Sequence, residues 1–236
     1  MIHPILEVCV EDPEGARIAQ FAGADRIELC QELRFDGITP SPELTERIRS
    51  LVPIPLIVLI RFRIGDFVYS KIESATMLDQ AKLAVDLGAE GVAVGACNRD
   101  GSLDWTFLEG LSHRVRSASK NSQLVLHRVF DSVPNKHDAI AKLIELGFDR
   151  VLTSGGAPRA IDSLPELAEL QSLHGDRIEV LPAGGINSSN AQHILAITRC
   201  WQLHGSMREP HDPNIHRGPC PHQISDVKRI LRGSQI

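Results

Sequence analysis

Long apolar runs, clusters of like charge and an even set of cysteines are all missing from this sequence of 236 residues. The longest apolar stretch, 54–60, is interrupted by Pro55 and is far shorter than the roughly 20 residues that a membrane-spanning helix needs. Lysine and arginine form no long run, and the net charge is -5, which argues against binding to nucleic acid or to a membrane surface. We therefore expect small partners.

The five cysteines are odd in number and widely scattered, which is not the pattern of a disulfide framework. The first residues, Met1-Ile2-His3-Pro4, have neither the basic nor the apolar segment of a secretory leader. A reducing, cytoplasmic location is therefore expected. With 42% hydrophobic residues, the chain is long enough to bury one substantial core.

Short segments rich in β-branched residues recur along the chain and predict eight strands. They are Ile5–Val10, Arg26–Cys30, Leu56–Arg61, Gly91–Ala96, Gln123–Arg128, Arg150–Ser154, Ile178–Ala183 and Cys200–Ser206. The segments between them have helical periodicity, as in 72–87, where apolar residues recur at helical spacing. Ser41-Pro42 is typical of a helix start, and Gly23, Gly88 and Gly147 stand where helices end.

Eight alternating strand and helix units, with no linker between them, predict a single-domain (β/α)8 TIM barrel over residues 1–236. An irregular, histidine-rich loop is predicted at 207–221, after the eighth strand. The segment Gly23-Ala24-Asp25-Arg26-Ile27 has a counterpart in Gly147-Phe148-Asp149-Arg150-Val151, four units later. That spacing is expected of two half-barrels, although a glycine and a polar turn before a strand are also common by themselves.

Alternation along the strands predicts which side chains enter the barrel. If the aliphatic residues of Ile5–Val10 face the helices, Glu7 and Cys9 point inward, and by the same rule so do Glu28 and Cys30 of the second strand. Barrel interiors are usually filled by branched apolar side chains, so charged inward residues need partners or a function. The candidates for catalysis, at or near strand ends, are Glu7, Glu28, Arg61, His127 and Asp131. The alternative is a lattice of glutamate and arginine that only stabilises the barrel.

Glycine and hydroxyl residues at the ends of three strands predict an anion site. Backbone N–H groups at a Gly-Gly turn that opens a helix favour phosphate or carboxylate, and barrels often bind phosphate after strands seven and eight. Turn formation alone is the alternative explanation of the glycines. The candidate anion-binding residues are Arg63, Ser154, Gly155, Gly184, Gly185, His204 and Ser206.

Several ordered motifs make the chain similar to the CutC family, whose members are called copper homeostasis proteins. The motifs are Leu6-Glu7-Val8-Cys9, 23–30, 37–41, 61–69, 127–131, 152–156 and His204-Gly205-Ser206. The resemblance implies a TIM barrel, a cytoplasmic location, a role in copper tolerance or trafficking, and a homodimer or homotetramer. It also implies Cys9 and Cys30 as copper ligands, because they occupy the matching Glu-x-Cys positions, and thiolates suit Cu(I).

The sequence departs from that family at two places. Phe62 stands where the family usually has proline between two arginines, and the arginine-rich segment expected after the eighth strand is replaced by 211–222. This segment carries His211, His216, Cys220 and His222, a candidate metal-ligand set whose spacing fits no standard zinc motif; a solvated surface loop is the alternative.

Three functional hypotheses follow. The first is a protein that binds Cu(I) through Cys9 and Cys30, with His204 or the histidine-rich loop as candidate additional donors. The second is an enzyme acting on a small anionic metabolite that carries phosphate or carboxylate. The third is an oligomeric scaffold with a structural polar interior. No nucleophile triad, Walker loop or dinucleotide-binding glycine pattern is present to specify a reaction class.

Overall fold

Strands and helices alternate throughout the computed structural model, which describes residues 4–209 and 218–233. The strands are β1 Ile5–Val10, β2 Arg26–Leu29, β3 Leu56–Ile60, β4 Gly91–Val94, β5 Gln123–Leu126, β6 Arg150–Thr153, β7 Glu179–Pro182 and β8 Gln202–Gly205. The helices are α1 Pro13–Phe21, α2 Pro42–Leu51, α3 Lys71–Asp86, α4 Trp105–Ala118, α5 Lys136–Glu145, α6 Leu164–His174, α7 Ala191–Thr198 and α8 Pro221–Gly233. Every predicted strand is confirmed, most of them one or two residues shorter than predicted.

The helix boundaries have the local causes that the sequence indicates. Helix α2 begins at Pro42, and the Oγ of Ser41 accepts a hydrogen bond from the Leu44 N–H at 3.2 Å. Gly23 and Gly88 follow α1 and α3 with φ of 101° and 94°, a conformation that a side chain disfavours. Among the described helices, none is long and apolar enough to span a bilayer.

All neighbouring strands pair in parallel, in the order β7-β6-β5-β4-β3-β2-β1-β8, so the sheet curves into a barrel. The remaining seam lies between β7 and β8, which contact each other. There Gln202 Nε2 donates to Glu179 Oε2 at 3.0 Å. This is a (β/α)8 TIM barrel, as predicted.

The strands bury apolar residues on both faces, but with different partners. Outward residues such as Leu6, Val8 and Val10 pack in the large core beneath the helices. A smaller inner cluster contains Cys9, Cys30, Ile57, Leu59, Ala93, Val125, Leu152, Leu181 and Ala183. The predicted inward direction of the two cysteines is therefore confirmed.

Six polar side chains fill the interior at the N-terminal ends of the strands. This polar layer consists of Glu7, Arg26, Gln123, Arg150, Glu179 and Gln202. Arg26 Nε donates to Glu7 Oε2, and Arg26 Nη2 donates to Gln202 Oε1 at 2.9 Å. Arg150 donates to Glu179 at 2.7 Å and to Gln123 at 2.7 Å. This part of the interior has the structural glutamate and arginine lattice that the sequence left as an alternative.

The repeated sequence segment has a repeated structural role. The Leu6 N–H donates to Asp25 Oδ2 at 2.7 Å, and the Leu124 N–H donates to Asp149 Oδ2 at 2.8 Å. Each aspartate thus anchors the strand before its own, and the arginine that follows each aspartate enters the polar layer. The two segments occupy equivalent positions in the two halves of the barrel.

Candidate functional site

A cavity of about 790 Å³ lies at the C-terminal ends of the strands. This volume falls within the range of small-molecule sites, and barrel enzymes place their active sites at the same end. Nine of the predicted site residues line it: Cys9, Glu28, Arg61, His127, Asp131, Gly184, Gly185, His204 and Ser206. Five others, Glu7, Cys30, Arg63, Ser154 and Gly155, are not among its lining residues.

Glu7 lies below the cavity, and both of its carboxylate oxygens are bonded. Oε2 accepts from Arg26, and Oε1 contacts His204 Nδ1 at 2.8 Å. Burial alone would raise the pKa of Glu7, but Arg26 and His204 outweigh it and hold the pKa far below its usual range. Glu7 is therefore an ionised anchor of the polar layer and orients His204.

Of the two inward glutamates, Glu28 is the one that lines the cavity. Its Oε2 lies 3.7 Å from His204 Nε2, so the imidazole stands between Glu28 and Glu7. Burial raises the pKa of Glu28, and the charge of Glu7 adds to this effect. Burial opposes the charged form of His204, but the two carboxylates together raise the pKa of His204. The two glutamates thus have pKa values shifted in opposite directions, a pattern typical of proton-transfer sites.

The two inward cysteines meet at the edge of this cluster. The Sγ atoms of Cys9 and Cys30 are 3.5 Å apart, and both side chains are buried. Gly37 closes over them, since a Cβ there would lie 3.1 Å from Cys30 Cβ and 2.7 Å from Leu59 Cδ2. The hydrogen bond with Cys30 and burial raise the pKa of Cys9 well above its usual value. Both effects favour the protonated form of the Cys9 thiol.

One group of potential metal ligands is found among the described residues. Ligand atoms of Cys9, Glu28 and His204 lie within 4.8 Å of one another. With Cys30 alongside, thiol sulfur and imidazole nitrogen are both available, and these are the donors that suit Cu(I). The sequence pointed to the two cysteines and to His204 as an additional donor, whereas the addition of Glu28 depends on the register of β2 with β1.

Arg61 enters the cavity wall directly after β3. Its Nη1 donates to the carbonyl oxygens of Phe35 and Gly37, each at 2.9 Å, and its Nη2 donates to the Gly65 carbonyl at 2.7 Å. Arg63, two residues later, is half-exposed and pairs with Asp66 and Glu73, 2.9 Å from each. The structure therefore does not bring Arg63 to the other candidate anion-binding residues.

His127 is buried after β5, and its Nδ1 accepts a hydrogen bond from the Val129 N–H at 3.1 Å. Burial and the charge of Arg61 lower the pKa of His127 to about 3, so the ring is neutral at neutral pH. Gly95 is required beside it, since a Cβ there would lie 2.6 Å from His127 Cε1.

Asp131 holds the turn after β6. Its carboxylate accepts five hydrogen bonds: two from Ser154 and one each from Thr153, Gly156 and Arg128, at 2.6 to 3.3 Å. With both oxygens committed to the protein, Asp131 positions this turn and Arg128. Ser154 is buried within the same network.

The glycines after β6 and β7 permit close packing of loops. Gly155 has φ of 74°, and its N–H donates to Thr153 Oγ1 at 2.9 Å. Gly184 and Gly185 have φ of 93° and 69° and line the cavity together with Ser206. Positive φ requires glycine at these three positions, and the last two also leave backbone accessible to a ligand.

Two arginines at the cavity were not among the candidate site residues. Arg128 lines it after β5, and Arg208 lines it after β8, where Arg208 also pairs with Glu11. Arg128 adjoins His127 in sequence, and Arg208 stands two residues after Ser206, so alternation past the strand ends was the available signal.

Part of the histidine-rich loop lies outside the described residues, including His211 and His216. Cys220 Sγ lies 3.4 Å from Glu209 Oε1, and the Cys220 N–H donates to the Met207 carbonyl. Helix α8 starts at Pro221, the last residue of the loop that the sequence predicted. His222 is exposed in the first turn of this helix.

Comparison with known proteins gives the same family as the motifs. A (β/α)8 barrel with a polar cavity at its C-terminal end defines a fold class with many activities. The family model described as CutC family matches residues 4–209. The chain therefore belongs to the CutC family.

Relatives match over most of the chain. A protein of Sinorhizobium medicae named family protein CutC is 39% identical over 202 residues, which are 86% of this chain and 80% of the relative. The human copper homeostasis protein cutC homolog is 38% identical over 211 residues, covering 89% of this chain and 76% of the relative.

Solved structures agree on the fold. The CutC protein of Streptococcus agalactiae is 28% identical, with a TM-score of 0.79 over 86% of this chain and 98% of that one. Phosphoribosylanthranilate isomerase of Thermotoga maritima, at 16% identity and a TM-score of 0.60 over 99% of this chain and all of that one, shares the barrel fold.

Proposed function

We propose that this protein acts in copper homeostasis and binds Cu(I) through Cys9 and Cys30. The observation that carries the proposal is the 3.5 Å separation of the two Sγ atoms beside the cavity. The name of the human relative supports the role in copper homeostasis. His204 and Glu28 supply further donor atoms next to Cys9. Because burial and the contact with Cys30 raise the pKa of Cys9, binding of Cu(I) to its thiolate releases a proton.

An anaerobic competition titration with a Cu(I) chelator tests this proposal. The parent protein is expected to bind one Cu(I), and the double variant Cys9→Ser with Cys30→Ser is expected to lose that binding. Cys97→Ser is the matched control, because Cys97 is partly exposed and is not a lining residue of the cavity. Equal affinity in the parent and the double variant would remove the thiol pair as the copper site.

A second candidate function is catalysis on a small anionic metabolite. The opposite pKa shifts of Glu7 and Glu28, both in contact with His204, favour it. Glu28 faces the cavity with a raised pKa and is suited to give or take a proton, whereas Glu7 raises the pKa of His204 and orients its ring. Arg61, Arg128 and Arg208 make the rest of the wall suitable for an anion.

Mass spectrometry of small molecules retained by gently purified protein tests this second function. A bound carboxylate or phosphate compound is expected in the parent, and turnover of that compound is expected to fall in Glu28→Gln. The control Glu109→Gln changes an exposed glutamate of α4 and is expected to have no effect. Turnover that survives in Glu28→Gln would exclude Glu28 as the proton donor or acceptor. Assembly into a homodimer or homotetramer stays a prediction.

A further inference from the structure

Three nitrogen atoms on residues that line the cavity have no hydrogen-bond partner within the described part of the chain: Arg61 Nε, His127 Nε2 and Arg208 Nε. Arg208 is 25% exposed and pairs with Glu11, whereas Arg61 and His127 are only about 5% and 4% exposed. Buried polar atoms in folded proteins are nearly always bonded, so each exception needs an explanation. The unbonded atoms of Arg61 and His127, the two deeply buried residues of the three, indicate a missing ligand group.

The unbonded atom of His127 is a donor. Its Nδ1 accepts the Val129 N–H and therefore carries no proton, so the neutral ring holds its proton on Nε2. The low pKa of His127, about 3, keeps the ring in this neutral form at neutral pH. The group needed opposite Nε2 is therefore a hydrogen-bond acceptor.

The unbonded atom of Arg61 is also a donor, and its charge lacks a counter-ion. Three backbone carbonyls hold the two Nη atoms. Within the described ranges, no carboxylate forms an ion pair with Arg61. Because carbonyl oxygens carry no net charge, the buried guanidinium favours an anion at its free Nε edge.

Phe67 places the two donors on one wall. The Arg61 guanidinium lies over the Phe67 ring, with Cζ 5.0 Å from the ring centroid, and the His127 ring lies 4.7 Å from the same centroid. Both donor residues line the cavity together with Phe67. Arg61 and His127 therefore share Phe67 as a neighbour at the cavity wall.

We infer that Arg61 and His127 bind the carboxylate of a small molecule, with Arg61 Nε and His127 Nε2 each donating to one carboxylate oxygen. Two donors and one positive charge match a monoanion with two oxygens better than a phosphate dianion. The inference rests on the second candidate function and specifies its substrate class. The carboxylate lies at the β3 and β5 side, and the rest of the molecule extends toward Glu28 and His204.

Nuclear magnetic resonance of the ¹⁵N-labelled protein tests the subsite through the donors themselves. Sodium acetate is titrated at constant ionic strength, with sodium chloride as the matched salt. The Arg61 Nε–H and His127 Nε2–H resonances are expected to shift along one saturating curve with acetate and not with chloride. The Arg63 Nε–H, which is paired with Glu73, is expected to stay in place.

Variants and a second anion sharpen the test. His127→Leu, which has no donor, and Arg61→Lys, whose ammonium cannot replace both the bonds to the carbonyls and the Nε–H, are each expected to weaken acetate binding about tenfold. If Arg61→Lys fails to fold for want of its bonds to three carbonyls, His127→Leu still decides. Arg63→Lys is the matched control. Absence of acetate shifts, equal shifts with chloride, or tighter binding of inorganic phosphate would overturn the inference.

Failure of the subsite and failure of the second function give different results. A retained metabolite that binds His127→Leu as tightly as the parent would preserve the enzyme hypothesis and overturn the subsite. Acetate shifts as expected, with neither a retained metabolite nor turnover, would support the subsite and count against the enzyme. Copper binding is separate, because Cys9→Ser with Cys30→Ser is expected to leave the acetate titration unchanged.

Discussion

Replacement of Arg26 by methionine tests the structural role of the polar layer. Arg26 and Glu7 are 4% and 2% exposed, and Arg26 supplies the bonds to Glu7 Oε2 and Gln202 Oε1. Without Arg26, Glu7 keeps only its contact with His204. Removal of one partner of a buried ion pair costs about 3–5 kcal/mol, because the other charge stays buried without compensation. We expect Arg26→Met to lower the free energy of unfolding by that amount at pH 7.

Urea unfolding followed by circular dichroism measures this loss. Arg114→Met is the matched control, because its ion pair with Asp79 is exposed and contributes less than about 1 kcal/mol. The double variant Arg26→Met with Glu7→Gln is expected to be more stable than Arg26→Met alone, since the unpaired charge is gone. The deficit of Arg26→Met is also expected to shrink in acid, where the buried Glu7 takes a proton. A cost no larger than that of Arg114→Met would refute this account.

Three further predictions concern the cavity wall. Asp131→Asn is expected to cost about 1–3 kcal/mol, because an amide cannot accept all the bonds made to the carboxylate, and amide hydrogen exchange at Ser154 is expected to quicken. Gly95→Ala places a Cβ 2.4 Å from Val129 Cγ1 and is expected to cost about 1–3 kcal/mol in urea unfolding. Because the pKa of His127 falls from 6.5 to about 3 on folding, only the unfolded state binds this proton between those values. Stability is then expected to fall by up to about 1.4 kcal/mol for each pH unit below 6, and this part of the slope is expected to vanish in His127→Gln.

The barrel could be predicted from the sequence because its determinants are local. The alternation in 5–10 separates Glu7 and Cys9 from their aliphatic neighbours, and the glycines at 23, 88 and 147 end the helices where the periodicity does. Which side chains of each strand point into the barrel then follows from burial of the aliphatic face against the helices. The same rule predicts that Cys9 and Cys30 both point into the barrel, and the structure has them in one inner cluster.

The sequence does not predict which polar residues stabilise the barrel and which line the cavity, because this depends on contacts between distant segments. Arg61 and Arg63 are two residues apart, yet one enters the cavity wall and the other pairs with Asp66 and Glu73 outside it. Glu7 and Glu28 have similar sequence surroundings, but the register of β1 with β2 and β8 places Glu7 in the polar layer and Glu28 at the cavity. Spacing along the chain contains no information on such differences.

The polar layer also limits how a ligand reaches the cavity above it. Hydrogen bonds join these side chains across the barrel axis, and Glu7, Arg26, Arg150 and Gln202 are buried, so the layer separates the cavity from the N-terminal ends of the strands. A molecule or ion that reaches the bottom must back out through the opening by which it came. Binding and release of a ligand are therefore expected to use one opening, at the C-terminal ends of the strands.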